Sequence, residues 1–217
     1  LLLIDGPGHG ESGLQKIQIT MEDCARVLAE LFSSLNITEA IVMGTSWGGI
    51  VAAELALRYP ELVSGVVLMN TPLAMPERPS LNNRLIVAMT RFIPNWRVFK
   101  QGVARSFFAP TTWNSKPQVI ESFLSQPRTF QNPGLYTVVK AVLIERSSLI
   151  PQLPQLKKPA LVIAGAEDRL YPVAEIQEAA ARIPDREFHV VANSAHISAA
   201  EQPDAIASLL HGFATKR

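Results

Sequence analysis

The sequence predicts an α/β fold: a mostly parallel sheet with helices on both faces, plus an all-helical insertion. Three observations point there. Short, continuously apolar runs such as "SGVVLMN" alternate with helical patterns, as in a parallel sheet covered on both sides. Residues 72–151 break that alternation and show helical spacing without strands. The alternation then resumes. The expected division is therefore a core of 1–71 and 152–217 with a helical cap of 72–151. A chain of 217 residues is long enough for one such domain with a modest insertion.

Taken in order, 1–5 ("LLLID") has the apolar run of a short strand, and "GPGHGES" after it has the glycines of a tight loop. Thr20 and Asp23 have the spacing of a capping box, so a helix is expected from there, with Cys24, Val27, Leu28, Leu31 and Leu35 on one face. The next strand is 40–44. A helix over 50–59 follows, whose Ala52, Ala53 and Ala56 let it lie close to a sheet, and Pro60 ends it. The run 64–70 is the third strand.

Within 72–151, Ser80 and Asn95 suit N-cap positions, and Pro117 and Pro133 suit first helical turns. With the stripe Leu135, Val138, Val139, Val142 and Leu143 they predict four short helices. "PQLPQLKKP" is the return linker. Ala160–Gly165 is then a strand, 173–183 a helix and 187–193 a last strand. Pro203 opens a terminal helix with Ile206, Leu209, Leu210 and Phe213 on one side.

Composition narrows the function. Hydrophobic content of 47% and charged content of 18% are those of a soluble globular protein. The net charge of +1 gives no pull toward nucleic acid, and no apolar run reaches the roughly 20 residues of a membrane span. The single cysteine, Cys24, excludes an intrachain disulfide and fits a reducing compartment, so a cytoplasmic location is the expectation. Charge is unevenly placed: 72–151 holds ten lysines and arginines against three glutamates, and the remainder is acidic. Nothing calls for a metal or an organic cofactor: there is no cluster with ligand spacing, no Gly-x-Gly-x-x-Gly and no P-loop.

The chemistry gathers at three expected strand ends. "GTSWG", residues 44–48, matches Gly-x-Ser-x-Gly between a strand and a helix. In that setting the serine sits on a strained turn, presented above the positive end of the following helix. A serine hydroxyl is a weak nucleophile unless a base takes its proton, and the base needs an orienting acid. "AGAEDRLYP" offers Glu167 and Asp168, with Gly-x-x-Asp spacing favouring Asp168. "ANSAHISAAEQP" offers His196. His189 falls inside the last strand, where a core or surface role is expected; His211 is expected to face solvent on the terminal helix and His9 to pack in the first loop.

These motifs resemble the α/β-hydrolase superfamily in its capped lipase- and esterase-like branch, over nearly the whole chain. "DGPGHGES" is similar to that family's loop after its fourth strand, "GTSWGG" to its nucleophile elbow, "GAEDRLYP" to its acid loop and "SAHISAAEQP" to its histidine loop. The resemblance implies Ser46 as nucleophile, His196 as general base, Asp168 as its partner and the backbone N–H of Trp47 as an oxyanion donor. It also implies that 72–151 is the family's cap. The first three family strands are absent, including the one that would lie between 1–5 and 40–44 and the loop that supplies the second oxyanion donor. An open edge beside 40–44 is therefore expected. A longer natural chain, direct pairing of the two segments, or a second copy covering the edge as a homodimer would each resolve it.

The expected function is a serine hydrolase acting on a small-molecule carboxylic ester. A triad acting on a thioester, a lactone or a carbon–carbon bond, and a non-catalytic ligand-binding protein of the same fold, are the alternatives.

Overall fold

In the computed structural model, Thr20 caps the first helix as its spacing requires. Its hydroxyl accepts from the Asp23 amide at 3.0 Å, and its own amide donates to the Asp23 carboxylate at 3.2 Å. The structure describes residues 1–7, 9–12, 19–92, 96–125 and 134–216. The expected cap at Asn95 and first-turn proline at Pro133 lie outside them. Helix α1 (Met21–Ser34) buries Met21, Cys24, Ala25 and Phe32. Cys24 and Leu28 lie on the core side as expected, but Val27 and Leu35 are exposed, because the buried stripe turns toward Met21, Ala25 and Phe32.

Four strands form one wholly parallel sheet in the order β1 (Ala40–Thr45), β2 (Val63–Met69), β3 (Ala160–Gly165), β4 (Arg186–Val191). The central strands β2 and β3 are buried almost throughout, which explains their unbroken apolar runs. Their side chains alternate between two cores. Val66, Leu68, Ala160, Val162 and Ala164 face α1, α2 (Trp47–Arg58) and the helix after β3. Val67, Met69, Leu161 and Ile163 face Ile206 and Phe213 of the terminal helix. Helices thus cover both faces, as the α/β pattern predicts.

Residues 1–5 differ from expectation. They form no strand and pair with nothing in the sheet, so β1 is an edge strand and Met43 is exposed. Among the described residues no strand lies on the outer side of β1 to receive them. Residues 1–7 and 9–12 are held as a loop instead. The Asp5 carboxylate accepts from the Glu11 amide at 2.9 Å, and Ser12 Oγ donates to the Asp5 carbonyl at 2.6 Å. Gly10 has φ +49°, and a Cβ there would lie 2.0 Å from that carboxylate.

Between β2 and β3 the described residues are helical and contain no strand. Among the described residues five helices appear where four were expected: α3 (Leu81–Phe92), α4 (Arg97–Phe107), α5 (Pro110–Ser115), α6 (Pro117–Ser125) and α7 (Leu135–Lys140). Two prolines account for the extra break. Ala109 and Lys116 precede proline and leave the helical region, so α4, α5 and α6 separate. Ser80 Oγ accepts from the Asn83 amide at 3.1 Å, as its capping position predicts. The stripe from Leu135 begins on α7 and continues in a π-helical turn, Ala141–Glu145, which buries Ala141 and Val142. The insertion closes at its base, where the Leu149 amide donates to the Leu73 carbonyl at 2.9 Å. After β3 come α8 (Val173–Ala180), α9 (Ser198–Glu201) and α10 (Pro203–Ala214). None of the described helices is long and apolar enough to cross a membrane.

Candidate active site

Ser46 stands between β1 and α2 with φ 52° and ψ −115°, a conformation a non-glycine residue holds only when its surroundings enforce it. Three contacts enforce it. The Ser46 amide donates to the Met69 carbonyl at 2.9 Å, and the Ser46 carbonyl accepts from the amides of Gly49 at 3.0 Å and Ile50 at 3.2 Å. Gly44 lets the helix fold back: a Cβ there would lie 2.1 Å from the Gly48 carbonyl carbon. Gly49 likewise makes room for the Thr71 hydroxyl, 2.0 Å from a would-be Cβ. Gly48, the second glycine of the motif, faces open space. Trp47 is the first residue of α2, so its N–H lies ahead of the first intrahelical bond.

The loop after β3 carries Asp168 and the loop after β4 carries His196. Both side chains are buried, and His196 Nδ1 is 2.9 Å from Asp168 Oδ2. The other carboxylate oxygen, Oδ1, accepts from the amides of Leu170 at 2.9 Å and Tyr171 at 3.1 Å. These bonds hold Asp168 as an acceptor, which directs Nδ1–H toward it and leaves Nε2 on the opposite side. The two loops are zipped together by the amide of Glu167, which donates to the Ser194 carbonyl at 2.8 Å. Gly165 permits their crossing, since a Cβ there would lie 2.2 Å from the Ala195 carbonyl oxygen. The rings of Phe107 and Tyr171 flank His196 at 5.2 and 5.4 Å. Burial pushes the Tyr171 phenol above its ordinary range, so it remains neutral beside the pair.

The structure brings Asp168 and His196 into contact and places Ser46 at the carboxyl end of the same sheet. The Ser46 hydroxyl makes no hydrogen bond to His196 here. Glu167 is separated from His196 by its own bonding: its carboxylate accepts from Thr111 Oγ1 at 2.6 Å and from the Thr111 amide at 3.3 Å. His9 stacks on the Trp47 indole at 4.9 Å, a packing contact. His189 lies in β4, and His211 is exposed on α10. Cys24 is buried in α1.

Sequence reasoning missed the residues that brace these loops. Glu201 is fully buried, and Asn70 and Ser198 are buried beside the Asp168–His196 pair. Asn70 was visible only as the polar end of an apolar strand, and Glu201 only through its resemblance to a family motif. No group of three His, Cys, Asp or Glu side chains among the described residues is arranged to hold a metal ion.

A wholly parallel sheet, a strained serine at a strand-to-helix turn and acid and histidine loops at later strand ends define an α/β-hydrolase. More narrowly, the chain belongs to the hydrolase family described as serine aminopeptidase, S33, whose profile matches residues 1–204. It is similar to a poly(3-hydroxyalkanoate) depolymerase of Ectopseudomonas oleovorans, 26% identical over 98% of this chain and 74% of that protein. It is also similar to 3-oxoadipate enol-lactonase 2 of Acinetobacter baylyi, 26% identical over 94% of this chain and 74% of that one. Among solved structures, a thermophilic esterase from Thermogutta terrifontis superposes with a TM-score of 0.85 at 26% identity, over 98% of this chain and 78% of that chain. The enol-lactonase from Burkholderia xenovorans superposes with 0.86 at 25% identity, over 97% and 79%.

Proposed function

We propose that this hydrolase cleaves a carboxylic ester through an acyl-enzyme on Ser46. The observation that carries the proposal is the buried pair of Asp168 and His196, 2.9 Å apart, at the same sheet edge as a serine held at φ 52°. Ser46 Oγ attacks the ester carbonyl carbon and passes its proton to His196 Nε2. Asp168 holds the imidazolium that results. The Trp47 amide receives the developing oxyanion, helped by the positive end of α2. Collapse expels the alcohol, which takes the proton from His196. Water then repeats the sequence on the acyl-enzyme and releases the acid. The helical insertion acts as a cap, and its aromatic and aliphatic side chains favour an apolar group on the substrate.

A fluorophosphonate probe tests this reading. Labelling that disappears in Ser46→Ala is the expected result, and an unlabelled native protein would sink it. A series of p-nitrophenyl esters of rising chain length then ranks acyl groups. Two of the similar proteins are named as enol-lactonases, which favours a cyclic ester as the second reading. Ring opening follows the same steps, with the leaving alcohol retained on the acyl chain. Faster turnover of lactones than of open esters would select it.

A further inference from the structure

Asn70 follows β2 directly and takes φ 48°. It is fully buried and bonded on every side. Its amide N–H donates to the Ile163 carbonyl at 2.7 Å, which fixes its backbone against β3. Its side-chain Nδ2 donates to the Ala195 carbonyl at 3.0 Å and to Asp168 Oδ2 at 3.2 Å. Its Oδ1 accepts from Ser198 Oγ at 2.7 Å. This pattern decides the orientation of the amide, because turning it over would set its oxygen against a carbonyl and a carboxylate. One side chain therefore touches the acid, the backbone next to His196 and the helix that follows the histidine loop.

We infer that Asn70 is a positioning residue for the reaction: it donates to the same Asp168 oxygen that His196 binds, and so sets how tightly that carboxylate holds the imidazole. The inference rests on the assignment of Asp168 and His196 to the triad. Asp168 Oδ1 is already occupied by the Leu170 and Tyr171 amides, so its remaining strength as an acceptor lies in Oδ2. There Asn70 and His196 share it. A second donor withdraws charge from that oxygen, which weakens its hold on an imidazolium. Removing the donor makes His196 hold its proton more tightly.

The other ionisable groups around the pair are engaged elsewhere. Glu167 is bound by Thr111, and Glu201 by Ala109, Thr112 and Ala195. Burial keeps Tyr171 protonated, and the Arg146 guanidinium acts on it from the insertion side. None of these bonds involves Asn70.

The test replaces the amide in three ways. Asn70→Gly removes it while easing the left-handed backbone. Asn70→Asp keeps the shape and the tolerance for positive φ. Ser198→Ala keeps Asn70 but releases its orientation. The imidazole proton resonances of the four histidines are followed against pH, with His196 assigned from its loss in His196→Gln. The expected result is a rise in the His196 midpoint of about half to one pH unit in Asn70→Gly and a smaller rise in Ser198→Ala, while the two carboxylates of Asn70→Asp share a proton. The midpoints of His9, His189 and His211 should not move. With an ester substrate, kcat should fall about tenfold in Asn70→Gly at nearly constant KM, the size expected for one hydrogen bond to a charged group.

An unchanged His196 midpoint in folded Asn70→Gly overturns the inference. Should Asn70→Gly not fold, Ser198→Ala carries the comparison, and an unchanged His196 midpoint there overturns the inference. Failure of the triad assignment is read separately, as absence of Ser46-dependent labelling in the unmutated protein, and removes both. Labelling with no shift removes only the role of Asn70.

Discussion

Glu201 and Ala109 lie 92 residues apart in sequence, and the amide of Ala109 donates to Glu201 Oε2 at 2.7 Å. The same oxygen accepts from Thr112 Oγ1 at 2.5 Å, and Oε1 accepts from the Ala195 amide at 2.7 Å. One buried carboxylate thus joins the helical insertion to the residue before His196. The Phe107 carbonyl reinforces the junction by accepting from the His196 amide at 2.9 Å. Segment 107–116 is therefore bound to both loops that carry Asp168 and His196, through Glu201 on one side and Glu167 on the other.

Glu201→Gln should weaken both the fold and the site. A carboxylate accepts on both oxygens, whereas an amide accepts on one and presents N–H groups on the other. At least one buried donor then loses its acceptor, a loss of about 1–3 kcal/mol in stability. Because one of those donors is the Ala195 amide, kcat should fall as well. Thermal unfolding and ester kinetics check this together. A variant with native Tm and native kcat would show that the junction is dispensable.

Asp168→Asn and Glu167→Gln separate the two neighbouring acids. Asparagine at 168 reverses the bond to His196 and favours the wrong imidazole tautomer, an effect of about 10⁴ in kcat in serine proteases. Glutamine at 167 disturbs only the contact with Thr111, so kcat should stay within about tenfold of native, with a stability loss of about 1 kcal/mol. The reverse ranking of kcat would assign the acid to Glu167.

The fold class was legible, and so was the placement of Ser46, Asp168 and His196 after three strands, because each rests on a local rule. Unbroken apolar runs report strands buried on both faces. Gly-x-Ser-x-Gly between a strand and a helix reports a turn that needs a glycine at 44. The bracing of the site was not legible. Asn70, Ser198 and Glu201 act across the fold, and nothing adjacent in sequence distinguishes a buried, fully bonded glutamate from an exposed one. The misassigned strand at 1–5 has a related cause. Five apolar-rich residues look like a strand, but a strand exists only through its neighbour, and none lies alongside. The fifth insertion helix was visible in principle at Pro110, whose effect on the residue before it separates α4 from α5.

Gly44→Ala and Gly48→Ala should behave in opposite ways although both lie in one motif. At 44 the added methyl would meet the helix backbone 2.1 Å away, and backbone on both sides leaves little room to yield. A loss of about 1–3 kcal/mol or more is expected, together with loss of the Ser46 geometry and of probe labelling. At 48 the methyl meets nothing within 4 Å and sits in the first turn of α2, so stability should hold or rise by up to about 1 kcal/mol. Urea unfolding of the two variants decides the matter, and equal destabilisation would contradict the open space at 48.

Cys24 supplies the pH dependence. Burial in α1, with smaller contributions from the charges of Asp23 and Glu22, pushes its thiol from 9.0 up to about 11. The native state therefore keeps its proton at pH values where the unfolded chain has lost it. The associated stability is complete below about pH 9 and declines as pH rises toward 11, at about 1.4 kcal/mol per pH unit. Cys24→Ala loses a constant amount for the missing sulfur but lacks this slope. The stability difference between native protein and variant should therefore narrow steadily between pH 9 and 11 in urea titrations. Comparison with the variant also removes the contribution of tyrosines that ionise in the same range. At pH 8 only about one native thiol in a thousand is ionised, so a thiol reagent should label Cys24 slowly until urea unfolds the chain. A difference that stays constant across that pH range, or prompt labelling of the native protein, would place the thiol in contact with water.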